Sequence, residues 1–316
     1  MTPLARRRVI AILLAASCLA GPTTTERPAV AATSATIRLC DVTIELLYAD
    51  DSGGVNRELI RDWVVASASA LRAYYGRFPV ARVRIQVEAR DGRGAQSGTT
   101  YGRNDGLIRV DVGRDSSRAD LARDWIMTHE MVHLAMPHLD DQHVWLEEGA
   151  ATYVEPIARV HAGLLTDATI WRDMWEGMPK GLPAAGDAGL DHTHTWGRTY
   201  WGGALFFLQA DVRIRERTGN RMGLQDALGA IVASGENRDS QRDVRRTLAA
   251  GDKATGTTVL LELYDEMRAT PVAPDIDRLW ERLGVKVFPD RVEFNDTAPL
   301  APVRRAITAR RKPDSC

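Results

Sequence analysis

The segment Thr128-His129-Glu130-Met131-Val132-His133-Leu134 sets two imidazoles four residues apart in an apolar helical pattern, and nothing else in the chain constrains its fold as tightly. On a helix, residues i and i+4 lie one above the other, so both rings face the same side. Neutral imidazole nitrogen suits Zn²⁺ at ~2.0–2.1 Å, and a metal site of the open type takes three protein donors and leaves one position for water. Glu130, directly after the first histidine, lies beside that face, where it can reach such a water as a general base. The fold must therefore keep this helix and bring a third donor to it from elsewhere.

That donor is offered by Trp145-Leu146-Glu147-Glu148-Gly149-Ala150-Ala151-Thr152-Tyr153-Val154-Glu155. The segment resembles the W-L-x-E-G-x-A-x-Y-x-E signature of gluzincin peptidases, the clan of thermolysin, aminopeptidase N and the glycyl aminopeptidases. Matched position by position, the resemblance makes Glu148 the third metal ligand and leaves Glu147 at a variable position. Glu155 and Asp141 are lesser carboxylate candidates. The resemblance implies a thermolysin-like zincin unit, zinc as cofactor, and a peptide or protein as substrate. The connection from His133 to Glu148 is shorter than in aminopeptidase N, and Met136-Pro137-His138-Leu139-Asp140-Asp141 is expected to turn the chain so that two antiparallel helices face each other across the metal. His138 and His143 flank this turn and read as solvated loop residues rather than ligands.

Peptide hydrolysis also needs a donor for the negative charge that gathers on the carbonyl oxygen. Arg198-Thr199-Tyr200-Trp201-Gly202-Gly203-Ala204-Leu205 resembles the Y-x-K-G segment of the aminopeptidase N and glycyl aminopeptidase families, with Tyr200 as that donor and Gly202 where the family has Lys. His192 or His194 is the competing donor, since thermolysin-type enzymes use a histidine. Trp196 and Trp201 either wall the substrate cleft or pack in the core. The G-x-M-E-N segment that holds a free amine in aminopeptidase N has no counterpart: Gly94-Ala95-Gln96-Ser97-Gly98-Thr99-Thr100-Tyr101-Gly102 contains no Glu. Exopeptidase and endopeptidase action therefore both remain open. A second class of function is a non-catalytic, metal-stabilised envelope protein that binds a peptide or cell-wall partner. Glu130 argues against it, because a structural zinc site closes its fourth position with protein.

The rest of the chain supplies the setting. Of its 316 residues 44% are hydrophobic and 26% charged, the balance of a globular protein, and a net charge of -1 argues against a dedicated nucleic-acid surface while leaving room for a local basic patch. Arg6, Arg7 and Arg8 precede an apolar run over residues 9–16 and then small residues, the order of an export signal. The run falls short of the ~20 apolar residues of a membrane span. Ala29-Val30-Ala31 offers a cleavage point. Ala15-Ala16-Ser17-Cys18 resembles a lipoprotein box, in which Cys18 would be the one membrane anchor. Either way an exported protein, periplasmic or secreted, is expected. Cys40 and Cys316 then remain, as a disulfide pair or as a buried thiol and a terminal one.

Residues 36–47 and 80–89 read as strands, 55–75 as a helix, 92–106 as a Gly-rich turn region, and 107–112 as an alternating strand suited to an edge and to pairing with substrate. Helices are expected over 118–136, 145–163, 202–218, 224–234 and 275–283, with a Pro/Arg-rich tail from Pro299 that is docked or loose. The expected class is α+β. An export signal spans 1–31, a mixed α/β subdomain 32–115, a helical zinc-binding subdomain 116–270, and a C-terminal helix and tail 271–316.

Overall fold

The computed structural model describes residues 33–49, 54–101, 106–235 and 243–311. The expected export signal, Cys18 and Cys316 lie outside these residues.

The first strand expected from the sequence is two. β1 (Thr33–Leu39) and β2 (Val42–Tyr48) form an antiparallel hairpin. It reverses at Cys40, whose φ of 50° lies in the left-handed region. Asp41 secures the reversal by accepting hydrogen bonds from Arg72 Nε at 2.8 Å and from the Phe78 amide at 2.7 Å. Cys40 is disulfide-bonded, and its partner lies outside the described residues.

Helix α1 (Arg57–Tyr75) starts where the Asn56 side chain accepts from the Glu58 and Leu59 amides and ends at Gly76, with φ 77°. It leads into β3 (Arg82–Arg90), which pairs in parallel with β2. Part of the Gly-rich region forms β4 (Ala95–Tyr101), followed by β5 (Gly106–Gly113). The sheet runs β1-β2-β3-β5-β4. The expectation for residues 107–112 is thus corrected, because β5 is hydrogen-bonded on both sides and β4 is the edge strand next to it. The sequence concealed this since Ser, Gly and Thr along β4 make no apolar alternation.

The remainder is mainly helical. The helix expected over 118–136 is broken into α2 (Arg118–Arg123) and α3 (Ile126–His133). Asp124 between them is extended, and its carboxylate accepts from the Ile126 amide at 2.8 Å, giving the second helix its own start. Helix α4 (Val144–His161) follows, then α5 (Asp167–Gly177), a π-helical turn at Gly197–Gly202, α6 (Gly203–Thr218) and α7 (Leu224–Ala233). Helices α8 (Val244–Thr255), α9 (Val259–Met267) and α10 (Ile276–Leu283) come next, then a small hairpin of β6 (Val285–Val287) and β7 (Val292–Phe294). The tail contains α11 (Ala301–Ile307) and is docked: Arg304 donates to the carbonyls of Leu283 and Gly284.

The class is therefore mixed α/β, with a five-stranded N-terminal sheet and a helical C-terminal part. One apolar core runs from Ile44, Ile85 and Ile108 of the sheet through Leu71 of α1 to Tyr153 of α4 and Phe206 of α6. Helix α4 stands at its centre, against α1, α3 and α6. No helix among the described residues is long and apolar enough to cross a membrane.

Candidate metal centre

Helices α3 and α4 meet so that His129, His133 and Glu148 present ligand atoms within 4.8 Å of one another. His129 Nε2 lies 3.3 Å and His133 Nε2 3.7 Å from the same oxygen, Glu148 Oε2. Bonds of ~2.0–2.2 Å in a tetrahedral zinc site imply donor-to-donor edges of ~3.3–3.6 Å, and the two edges from Glu148 to the histidines are close to that size. Burial alone would push His129 down, yet the hydrogen bond and charge of Glu148, helped by Glu130 and Glu155, hold it above its usual value. Burial and the neighbouring His129 push His133 down to about 4, into the neutral form that ligates metals. Glu148 is also buried, which acts to raise it, but both histidines and Tyr200 together keep it ionised and low.

Two glycines explain why the second helix can deliver Glu148 here. A Cβ on Gly149 would stand 2.4 Å from the Gly203 backbone, and one on Gly203 would stand 2.1 Å from the Trp145 carbonyl oxygen. α4 and α6 therefore touch backbone to backbone beside Glu148. That contact draws in the π-helical turn just before α6, and this turn carries Tyr200, whose ring lies nearly parallel to that of His129 with centroids 6.4 Å apart. Single π-helical turns of this kind concentrate at functional sites. Arg198 anchors the turn from inside the protein, with Nε 2.8 Å from Asp187 and Nη1 donating to the Gly181 carbonyl at 2.5 Å. Burial, Glu148 and Glu130 all raise the Tyr200 phenol, so it stays protonated and able to donate.

Glu130 sits on the sheet side of the cluster. Thr100 of the edge strand donates its hydroxyl to Glu130 Oε2 at 2.8 Å, and a Cβ on Gly98 would lie 2.6 Å from Glu130 Cγ. The strand passes this close only because position 98 has no side chain. Burial raises the Glu130 carboxyl above its ordinary range, with His129 and Thr100 opposing.

The other candidates fall elsewhere. Glu155 is buried against Arg159 at 2.7 Å, and Asp141 is exposed at the turn before α4. His192 and His194 are exposed on the strand of chain leading to Trp196, outside the cluster of His129, His133 and Glu148. His138 is exposed, with Nδ1 3.5 Å from Glu147. His143 is not the solvated residue expected: it is buried, with Nδ1 3.0 Å from Asp191. Asp191 also accepts from Trp145 Nε1 at 2.8 Å and from the Tyr264 hydroxyl at 3.3 Å, tying the first turn of α4 to α9 and to the loop before Tyr200. Trp201 is partly buried against the core, whereas Trp196 is 49% exposed and stacks on Tyr200. Gly98, Thr100 and Asp191 were missed from the sequence; only the place of Asp191 beside His192 hinted at it.

No protein-family model matches this chain, and no curated protein matches it. Solved structures do. An aminopeptidase N family protein from Idiomarina loihiensis is 13% identical, with a TM-score of 0.56 over 80% of this chain and 49% of that one. A variant of a two-domain M1 zinc metallopeptidase bound to L-arginine is 16% identical, with a TM-score of 0.50 over 77% of this chain and 52% of that one. The chain shares their fold. It spans about half the length of these neighbours.

Proposed function

We propose that this chain is an exported zinc-dependent peptidase with a thermolysin-like catalytic unit. The observation that carries the reading is the convergence of His129, His133 and Glu148, with Glu130 on one side and the Tyr200 hydroxyl on the other. The shared fold supports it, as neighbours of that fold are zinc metallopeptidases by description. His129, His133 and Glu148 would hold the ion. Zinc, when bound, supplies Lewis acidity that polarises the scissile carbonyl and makes water a stronger acid.

The chain's own residues supply the rest. Glu130, fixed by Thr100, accepts a proton from the attacking water and hands it to the leaving amine. Tyr200 donates to the carbonyl oxygen as charge builds there. The open side of β4 offers backbone groups along which an extended peptide can pair, and that strand replaces β5 in this role. No carboxylate stands along β4 to hold a free amine, so the enzyme is an endopeptidase or an aminopeptidase with another amine anchor.

The test is metal analysis joined to kinetics. The wild-type protein should bind one zinc and cleave peptides, and Glu130→Gln should keep the zinc while losing hydrolysis. A wild-type protein that holds zinc and cleaves no member of a peptide library would instead favour a metal-stabilised binder. Blocked and free peptides of one sequence then separate the two modes of cleavage.

A further inference from the structure

Six large hydrophobic side chains are strongly exposed among the described residues, and two of them rest directly on rings of the metal centre. Trp125, 51% exposed, meets His129 edge to face with centroids 5.1 Å apart. Trp196, 49% exposed, stacks on Tyr200 at 5.9 Å. His129 and Tyr200 in turn face each other nearly parallel at 6.4 Å. The two indoles thus contact a candidate metal-ligand imidazole and the candidate oxyanion donor, one supplied by the gap between α2 and α3, the other by the approach to the π-helical turn. Nothing in either position asks for tryptophan on grounds of packing, since half of each side chain lies in water. Exposed indole costs solvation free energy unless something covers it, and apolar area gathered beside a candidate metal centre marks the chemistry of what comes there. The adjoining edge strand adds no charge, since Ala95 to Tyr101 holds neither an acidic nor a basic residue.

We infer that Trp125 and Trp196 set substrate preference by packing on apolar or aromatic side chains of a peptide close to its scissile bond. The inference rests on the peptidase reading and specifies its substrate class. Each indole offers a flat face for a Phe, Tyr, Leu or Met side chain, and acidic or very small residues at the same places lose that contact.

The experiment uses the zinc-loaded full-length protein and a set of quenched fluorescent peptides that differ only at the residues flanking the cleaved bond. Peptides with Phe or Leu there should be cut with kcat/KM about tenfold or more above those with Gly or Asp, the range that apolar pocket contacts supply. Trp125→Ala and Trp196→Ala should each lower kcat/KM for the apolar set about five- to tenfold more than for the Gly set, mainly through KM, and be rescued by the Phe variants. A fall that is equal for all peptides, or a wild-type preference for Gly or Asp, overturns the inference while leaving the peptidase reading intact. Absence of cleavage of every peptide by zinc-loaded wild type overturns both.

Discussion

The proposed mechanism turns on single atoms, and Glu130 is the clearest case. It is buried, hydrogen-bonded by Thr100 and close to His129, and it stands outside the candidate donor set of His129, His133 and Glu148. Glu130→Gln keeps the shape and removes the base, so kcat should fall about 10²–10⁴-fold with zinc content unchanged by elemental analysis. Tyr200→Phe removes one hydrogen-bond donor that matters most when the oxyanion forms. Steady-state kinetics should show kcat down about 10²–10³-fold with KM little altered. Gly98→Ala reaches Glu130 from the opposite direction. A new Cβ 2.6 Å from both Glu130 Cγ and Ile126 Cγ2 must push the strand off α3, which should cost about 1–3 kcal/mol in chemical denaturation.

At the scale of elements, the site is a junction of α3, α4, the π-helical turn and β4, and two devices hold the junction. The glycine contact between α4 and α6 is one. Gly203→Ala would drive a methyl into the Trp145 carbonyl, separate the helices and pull Tyr200 away from Glu148, lowering Tm and zinc affinity together. The buried Asp191 carboxylate is the other. With three donors from α4, its preceding turn and α9 converging on it, Asp191→Ala leaves each of them unsatisfied in the interior, and a loss of about 2–4 kcal/mol in stability is expected from denaturant melts. Asp191→Asn retains acceptor capacity and should recover part of that loss.

At the scale of the whole molecule, a pH-sensitive group also lies away from the site. His161, at the end of α4, is buried; its Nε2 donates to the Ile307 carbonyl of the docked C-terminal helix at 2.8 Å, and its ring stacks on Tyr74 of α1. Burial pushes it down to about 4. The folded protein therefore refuses a proton that the unfolded chain accepts below its ordinary value near 6.5, so stability is full above that pH and is lost as pH falls towards 4. Global stability should be about 2 kcal/mol lower at pH 5 than at pH 7 from this group alone. His161→Phe should flatten that part of the pH dependence, as measured by urea unfolding at the two pH values.

Local pattern was enough to mark the centre of this protein. His129 and His133 share a face because the helical period is close to four residues, and Trp145 to Glu155 announces its helix by the same period, so the residues that the fold later gathers were legible one helix at a time. The helices around them were readable where apolar residues recur, as over α1 and α6, and unreadable where a single side chain intervenes, as when Asp124 caps a new helix in the middle of an apolar run. The edge strand was hidden because its Gly, Ser and Thr residues have no buried face to reveal them. Why two glycines lie where they do, and how Asp191 and the exposed tryptophans relate to the centre, were settled only by packing. Those contacts join residues far apart in the chain, and no local periodicity encodes them.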